Sequence, residues 1–584
     1  MQRRPAYVYQ ALDVEEQEIR LLVLGPGQYD DPLLAGLVTI SVRRSHRYNT
    51  ISYVWGDPRK DSNIFIAGAR LAVPKNTALA LRRMRLYDTT RVVWIDAVCI
   101  NQDNIEERGQ QVSLMGIIYR RSAGNLVHLT DDQPMAERIL QVAHQVDKEA
   151  RAETNNYKGL DKLIYTEAGV PKCSYRPPRR DLDIEAIWFL TQLPWFRPLW
   201  VLQEAVVSPS SMCYVGELPP CPLNLLLRTF RWLQYTSQLT EVPESNLISG
   251  FDCILALYEL SDHEKGVIAL RELTPSFRYL LTAAVVFERS EPRDGVFALL
   301  GIPSIQPEGI VPDYMKSTQT ILQEMTLWIL QRENNLNVLN LINHHEDPVE
   351  VCSWMCPYDR QFNDDWDPPM FEMTHSWACD GLEDASCLGD QPFPDIIGLA
   401  GLSVDTISSA STVCTKRIFE DDGVFAAWLF NTIVGFRDSF VNDLALALTV
   451  GRGSAGRAAT EGDMAILTEY LFALSHSIDG SGVWKPGVDL GALRQAAQEA
   501  CSMEYLSNRK VFTTVSGKIG VGPRIVRPGD VVTVLRGGRV PLIMRPLDGE
   551  YQLLGEAYVT YIMQGEAVHD AAVKGVKERI FIVR

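Results

Sequence analysis

The chain of 584 residues reads as an α/β protein. The expected order is a mostly parallel N-terminal sheet with helices, then a helical region, then a small C-terminal all-β subdomain. Three observations predict this. Residues 91–100 (RVVWIDAVCI) form a continuous apolar run, which suits a strand buried on both faces of a parallel sheet. A helix-patterned stretch and a further strand, NLVHLT (125–130), follow it, the order of a parallel crossover. From Arg509 onward, KVFTTV, DVVTVL, VPLIMR and YQLLGEAYV alternate with Gly and Pro turns, the pattern of a small β domain.

The elements follow in order. Residues 18–24 (EIRLLVL) and 36–43 (GLVTISVR) read as opening strands, and YNTISYVWG (48–56) as a third that ends in a Gly-Asp-Pro turn. Residues 63–74 read as a hairpin over Gly68, and Asn76 as the cap of a helix running to Met84. Asp103 or Asn104 can cap the next helix, whose first turn holds Glu106 and Glu107 and whose end holds Arg120 and Arg121, each sign matching the helix dipole. Pro194 breaks a helix over 184–193, and Pro198 opens a short one, PLWVLQEAVV, that must stop before Pro209. The organisation expected is 1–216 as the first domain (core 48–205, with a polar insertion at about 145–182), 217–345 helical, 346–422 loop-rich, 423–508 helical and 509–584 a β subdomain. No flexible Gly/Ser linker precedes Arg509, so the β segment is expected to pack against the central helices.

Composition excludes several classes. With 56 Lys and Arg against 73 Asp and Glu, the net charge is −17, which argues against nucleic-acid or anionic-membrane binding. No stretch is long and apolar enough for a membrane span, and the N-terminus lacks the apolar core of a signal peptide. Eleven scattered Cys, an odd number, fit reduced thiols, so a cytoplasmic or nuclear location is expected.

Three blocks together resemble the fungal heterokaryon-incompatibility (HET) domain family: TISYVWGDP (50–58), WIDAVCINQDNIEERGQQVSLMGIIY (94–119) and WFRPLWVLQEA (195–205). EPRDGVFALLGI (291–302), VPDY (311–314) and the stretch from GVGPRIVRPGD to YIMQGEA resemble the tail that often follows this domain. One departure stands out: Arg197 comes one residue early, and Pro198 occupies the place where the family has an Arg. The HET domain is in turn distantly similar to TIR domains. That resemblance implies a flavodoxin-like sheet, and for some members cleavage of NAD by a Glu four residues after a Trp. Trp200 and Glu204 have this spacing here.

Ligands of open α/β sheets bind beyond the carboxyl ends of the strands. Trp55 and Asp57 end one strand run; Asp96, then Asn101, end the other, with Arg108 just inside the next helix. These residues with Trp200 form a candidate ligand-binding set, and Glu204 is the candidate catalytic residue because it interrupts an apolar run. Each also has a structural reading. The Trp residues can be core, Asp57 a turn former, Asn101 a cap, and Arg108 a partner for Asp96. Gly451–Gly456 matches G-x-G-x-x-G but reads as a surface loop, because no βαβ unit follows. Cys352, Cys356, His375 and Cys379 have zinc-ligand types at loose spacing, and packed thiols are the default reading; no metal is expected.

Three functions stay open. The HET resemblance implies a signalling or effector protein of non-self recognition and programmed cell death, acting through self-association or a receptor protein. A second reading is a TIR-like NAD glycohydrolase using Glu204, with NAD as substrate and no resident cofactor. A third is a HET-fold protein recruited to biosynthesis or stress response.

Overall fold

The fold is that of a computed structural model describing residues 4–153, 182–235, 277–302, 309–348, 352–358, 378–380, 382, 395–415, 418, 421–432, 441–453, 459–477, 484–485, 489–501 and 503–584. The chain divides into two units. One is formed by the described residues to Thr318 together with Tyr358, the other by Gln319–Pro357 and the described residues from 378 onward.

The N-terminal unit is built on a nine-stranded sheet in the order β5-β4-β2-β1-β6-β3-β7-β8-β9. The strands are β1 (Glu18–Leu24), β2 (Leu34–Ser41), β3 (Asn49–Ser52), β4 (Ser62–Ile66), β5 (Ala69–Val73), β6 (Arg91–Trp94), β7 (Asn125–Thr130), β8 (Ser211–Val215) and β9 (Cys221–Pro222). The stretch β6-β3-β7-β8 is parallel throughout, with Thr50 opposite both Trp94 and Asn125. β1 pairs antiparallel with both β2 and β6, and antiparallel pairs also occur at β4–β5 and β8–β9, so the sheet is mixed around a parallel centre. The runs at 48–56, 91–97 and 125–130 are expected to pair as neighbouring parallel strands, and they do so as β3, β6 and β7, with β3 in the middle.

Helices α1 (Lys75–Met84), α2 (Asp96–Cys99), α3 (Ile105–Arg121), α4 (Gln133–Glu153), α5 (Ile184–Thr191), α6 (Trp200–Val207), α7 (Leu223–Tyr235), α8 (Phe277–Ala284) and α9 (Asp294–Phe297) complete the unit. Asn104 caps α3, its side chain accepting from the Glu106 and Glu107 amides. Asn76 does not cap α1: Pro74 holds that place, and the Asn76 amide donates to the Val54 carbonyl instead. The run at 91–100 is also not one strand. It ends at Trp94, and Asp96–Cys99 turn into α2. A short run buried in either state cannot be assigned by apolarity alone. The polar insertion begins as the end of α4, and its remainder, 154–181, lies outside the described residues.

In the second unit, helices α10 (Thr318–Glu333), α11 (Asp422–Thr432), α12 (Val441–Thr449), α13 (Glu461–His476) and α14 (Gly491–Ala500) precede most of the strands. The stretch around residues 445–450 is therefore helical. Strands β10 (Ile397–Ala410), β11 (Arg509–Thr514), β12 (Ile519–Pro523), β13 (Val531–Leu535), β14 (Leu542–Leu547), β15 (Glu550–Glu556), β16 (Tyr558–Val559) and β17 (Arg579–Val583) form one sheet, and α15 (Glu566–Lys574) precedes β17. The order β13-β14-β15-β17-β10 returns to β13 through the β10–β13 pairing, closing a five-stranded ring. Closure removes edges that would otherwise invite strand addition. Val511, Ile519, Val521, Val540 and Tyr558 share a core with Phe425, Leu444, Leu448, Leu467 and Leu471, so the β segment packs on the helices as expected.

The segment expected to be loop-rich contains the long strand β10. At Gly401 this strand passes from β17 to β13, pairing with Arg579 on one side and Leu535 on the other. A Cβ at Gly401 would lie 2.4 Å from the Val534 carbonyl oxygen and 2.7 Å from the Leu535 Cα. Glycine is required there by close backbone approach. Gly401→Ala is expected to destabilise the protein by about 1–3 kcal/mol, the usual range for overpacking, read as a lowered Tm in a thermal melt.

Candidate functional site

The carboxyl ends of β3 and β6 bring the strongest cluster together. Beyond β3 come Ser52, its last residue, then Tyr53 and Trp55; beyond β6 comes Asp96, the first residue of α2. The helix α6, buried over its whole surface from Val201 to Val207, carries Glu204. Its burial explains the apolar run, since a helix apolar all round belongs to the interior. Within that run Glu204 needs polar partners, and it has them. The Ser52 hydroxyl donates to its Oε2, and the Trp195 indole N–H donates to the Ser52 Oγ at 2.8 Å. The Tyr119 hydroxyl also hydrogen-bonds the carboxyl.

Burial pushes the Glu204 carboxyl up to about 8, and the Asp96 charge adds to the rise, while the bonds from Ser52 and Tyr119 oppose it. Asp96 is itself raised to about 6 by burial, against bonds from Trp55, the Ala97 amide and Tyr53. The Trp55 N–H donates to Asp96 Oδ2 at 2.7 Å, and the Ala97 amide donates to Oδ1 at 2.7 Å. Trp55 is 40% exposed, so its indole is tied to Asp96 while part of it reaches the surface. Tyr53 hydrogen-bonds Thr77 at 2.8 Å. Two carboxyl groups with unequal raised affinities for a proton, beside an exposed aromatic ring, are the materials of acid–base or cation-stabilising chemistry.

The other expected residues go elsewhere. Asp57 is solvent-exposed and bound to Arg59, which lowers its carboxyl's proton affinity. Asn101 donates its backbone N–H to Glu107 Oε1 at 2.8 Å. Arg108 lies over the Tyr314 ring, 4.8 Å from its centroid. The Trp200 indole donates to Asp294 Oδ2 at 3.0 Å. Arg197 donates to Gln192 Oε1 at 3.0 Å and pairs with Glu288. Thus Trp55, Asp96 and Glu204 belong to one cluster, and Arg108 and Trp200 meet a second one built on Tyr314 and Asp294. Sequence reasoning missed Ser52, Tyr53, Tyr119, Trp195 and Asp294. Ser52 and Tyr119 lie inside the quoted blocks but in apolar settings that read as core.

In the second unit, Cys352, Cys356 and Cys379 are buried thiols. The Cys356 Sγ donates to the Val338 carbonyl at 3.1 Å, and His375 lies outside the described residues. A groove of about 660 Å³ is lined by Thr460, Glu461, Met464, Thr468 and Phe472 among others, and includes none of the expected site residues. Among the described residues no helix is long and apolar enough to cross a membrane.

Residues 48–204 match the family model described as Heterokaryon incompatibility protein (HET), and residues 493–582 match the Het-6 beta-barrel domain. The first match spans the strands and helices that carry Ser52, Trp55, Asp96, Tyr119 and Glu204, and the second spans most of the closed β ring. Residues 48–204 thus carry a HET domain, and the matches support a protein of the fungal incompatibility type. It is similar to "Heterokaryon incompatibility protein 6, OR allele" of Neurospora crassa, with 24% identity over 96% of each chain. No solved structure matches it.

Proposed function

We propose that this protein is an effector of fungal non-self recognition that promotes cell death, and that its N-terminal unit acts by hydrolysing the nicotinamide–ribose bond of NAD. One observation carries the reading: the Glu204 carboxyl, bonded by Ser52 at the carboxyl end of β3, feels the charge of Asp96 beyond the end of β6, and Asp96 holds the partly exposed ring of Trp55. In this reaction the glycosidic C–N bond breaks and nicotinamide leaves as a neutral molecule with the bonding pair. Positive charge builds on the ribose ring, water adds at the same carbon, and a proton is released. A carboxylate in a water-poor site stabilises that charge. Glu204 is the group for this role, with Ser52 and Tyr119 orienting it and Trp55 stacking on the flat ring of the substrate. Self-association or a receptor protein brings the units to an active arrangement.

Incubating the concentrated full-length protein with NAD and assaying free nicotinamide tests the reading. Release of nicotinamide supports it; none under concentrated or induced-assembly conditions overturns it. The pH profile adds a sharper expectation. The free enzyme holds Glu204 protonated at neutral pH, because its carboxyl sits at about 8. The carboxylate is the useful form, so kcat/KM, which reports the free enzyme, is expected to rise with pH toward a midpoint near 8. A profile that falls across this range would exclude the carboxylate role.

A second reading has its own observation. Glu204 is only 8% exposed, which favours a structural carboxyl in a domain that works by assembly alone. Cell-death activity retained in a Glu204→Gln strain would select this reading.

A further inference from the structure

The motifs at 291–302 and 311–314 lie beyond the stretch matched by the HET model, and the site above leaves them unexplained. Their residues converge on Asp294. This carboxyl is nine-tenths buried, accepts from the Trp200 indole at 3.0 Å and accepts from the Tyr314 hydroxyl at 2.7 Å. Tyr314 is held in turn by three neighbours. Arg108 of α3 lies 4.8 Å over its ring, Arg293 lies 5.5 Å from it, and Phe297 meets it edge-on at 5.2 Å. Arg293 donates to the Tyr314 and Lys316 carbonyls at 2.6 and 2.8 Å and to both oxygens of Glu291.

The same segment grips α6 at two more places. The Leu199 amide donates to the Glu288 carbonyl at 2.9 Å, and the Glu288 amide returns a bond to Arg197 at 2.7 Å, a parallel bridge just before α6 begins. Gly301 lies against Gly116 of α3 so closely that a Cβ at Gly116 would sit 2.6 Å from the Gly301 Cα. A Cβ at Gly301 would run into the side-chain nitrogen Nε2 of Gln203. The first turn of α6 has no side-chain cap of its own. Its position is therefore set from outside, by residues 287–302 and 309–316.

We infer that this segment is a positioning element of the Glu204 centre, with Asp294 as its anchor. The carboxyl fixes Trp200 at the first residue of α6, and Glu204 follows one helical turn later. Asp294 is a positioning residue: it acts through Trp200 and α6, and the inference rests on the NAD-cleaving reading for its catalytic consequence. The HET domain as a working unit then extends to about residue 316, and the tail motifs belong to the site's support.

The test uses the full chain with Asp294→Ala, Asp294→Asn and Trp200→Phe. Displacement of a catalytic group by a fraction of an ångström lowers turnover more than binding, so Asp294→Ala should reduce kcat for NAD cleavage by at least about tenfold with KM changed less than about twofold. Asp294→Asn keeps one carbonyl oxygen for the indole N–H and should recover much of the loss. Trp200→Phe, which removes only that donor and leaves a ring, should reproduce part of it, and should add little on top of Asp294→Ala, because both cut one interaction. A folded Asp294→Ala protein with wild-type kcat, or an Asn variant no better than Ala, overturns the inference and leaves the NAD reading standing. If the wild type releases no nicotinamide, the NAD reading fails alone. The positioning claim is then decided by amide exchange, which should quicken by about tenfold or more across residues 201–207 in the Ala variant while α3 keeps its protection. Unchanged exchange in α6 refutes it. Where Asp294→Ala does not fold, Trp200→Phe carries the same measurements.

Discussion

Glu204→Gln is expected to remove NAD cleavage, with kcat reduced by at least about 10²-fold, while the folded protein becomes more stable than wild type at alkaline pH. The two halves of this result have one cause. Gln keeps the shape of the protonated acid and cannot take a charge. In the wild type the folded carboxyl sits at about 8 against an ordinary value of 4.5. Between those values the folded protein binds more protons than the unfolded chain, so folding stability falls as pH rises. The contribution is fully present below about 4.5 and is lost as pH climbs through about 8. One such proton corresponds to roughly 1.4 kcal/mol per pH unit, whereas Asp96, raised to about 6, titrates in both proteins and cancels from their comparison. Thermal melts from pH 5 to pH 8 should therefore show the Tm of Glu204→Gln rising relative to wild type at every step. A difference that stays flat with pH would mean that Glu204 is ionised throughout, with its charge already compensated. A folded Gln variant that cleaves NAD as fast as wild type would remove Glu204 from the reaction altogether.

Much of the parallel centre was legible because each element there obeys a local rule. β3, β6 and β7 are short apolar runs closed by turn residues, and Asn104 stands where an N-cap must, before a first turn of Glu106 and Glu107. Glu204 was legible for the opposite reason, as a charge inside an apolar run. Its partners were not. Ser52 is 152 positions away, and its hydroxyl serves a carboxyl on another element. Nothing in NTISYV marks which polar residue faces inward to a distant acid. Trp200 was expected in the same ligand-binding set, but its indole goes to Asp294, 94 residues later in a motif with no chemical signature of its own. The strand β10 was hidden by its glycines and serines. In a sequence these residues read as breakers, whereas in a closed ring they allow backbones to approach and the strand to change partners. The mixed character of the sheet was equally out of reach, since β1 and β2 carry the same apolar pattern whether they pair parallel or antiparallel.

Glu107→Ala is expected to destabilise the N-terminal unit by about 3–5 kcal/mol, the cost of leaving a buried partner charge uncompensated. The sequence offers Glu107 as a charge that suits a helix N-terminus. The structure gives it a further role, because it is buried and paired with Arg20 of β1, which is only 2% exposed. Arg20 Nη1 donates to Oε1 at 2.6 Å and Nη2 to Oε2 at 3.1 Å, a two-pronged pair that fixes both side chains. The same guanidinium donates to the Cys99 carbonyl at 3.0 Å and to the Gln10 carbonyl at 2.5 Å, while Glu107 Oε1 accepts from the Asn101 amide. The pair thus ties β1, the end of α2, the loop after it and the start of α3 into one knot, and α2 is the helical turn that begins with Asp96. Removing the carboxylate leaves Arg20 buried without its countercharge. Removing both partners does not: Arg20→Met with Glu107→Leu replaces the pair by apolar groups of similar length and should recover most of the lost stability. Denaturant unfolding of the single and double variants measures this directly. If the double variant is as unstable as Glu107→Ala, the pair is held for the backbone carbonyls it satisfies and not for its charge balance, because Met cannot donate to Cys99 or Gln10. If Glu107→Ala is within about 1 kcal/mol of wild type, solvent reaches Arg20 in solution and the pair carries only the weak energy of a surface bridge.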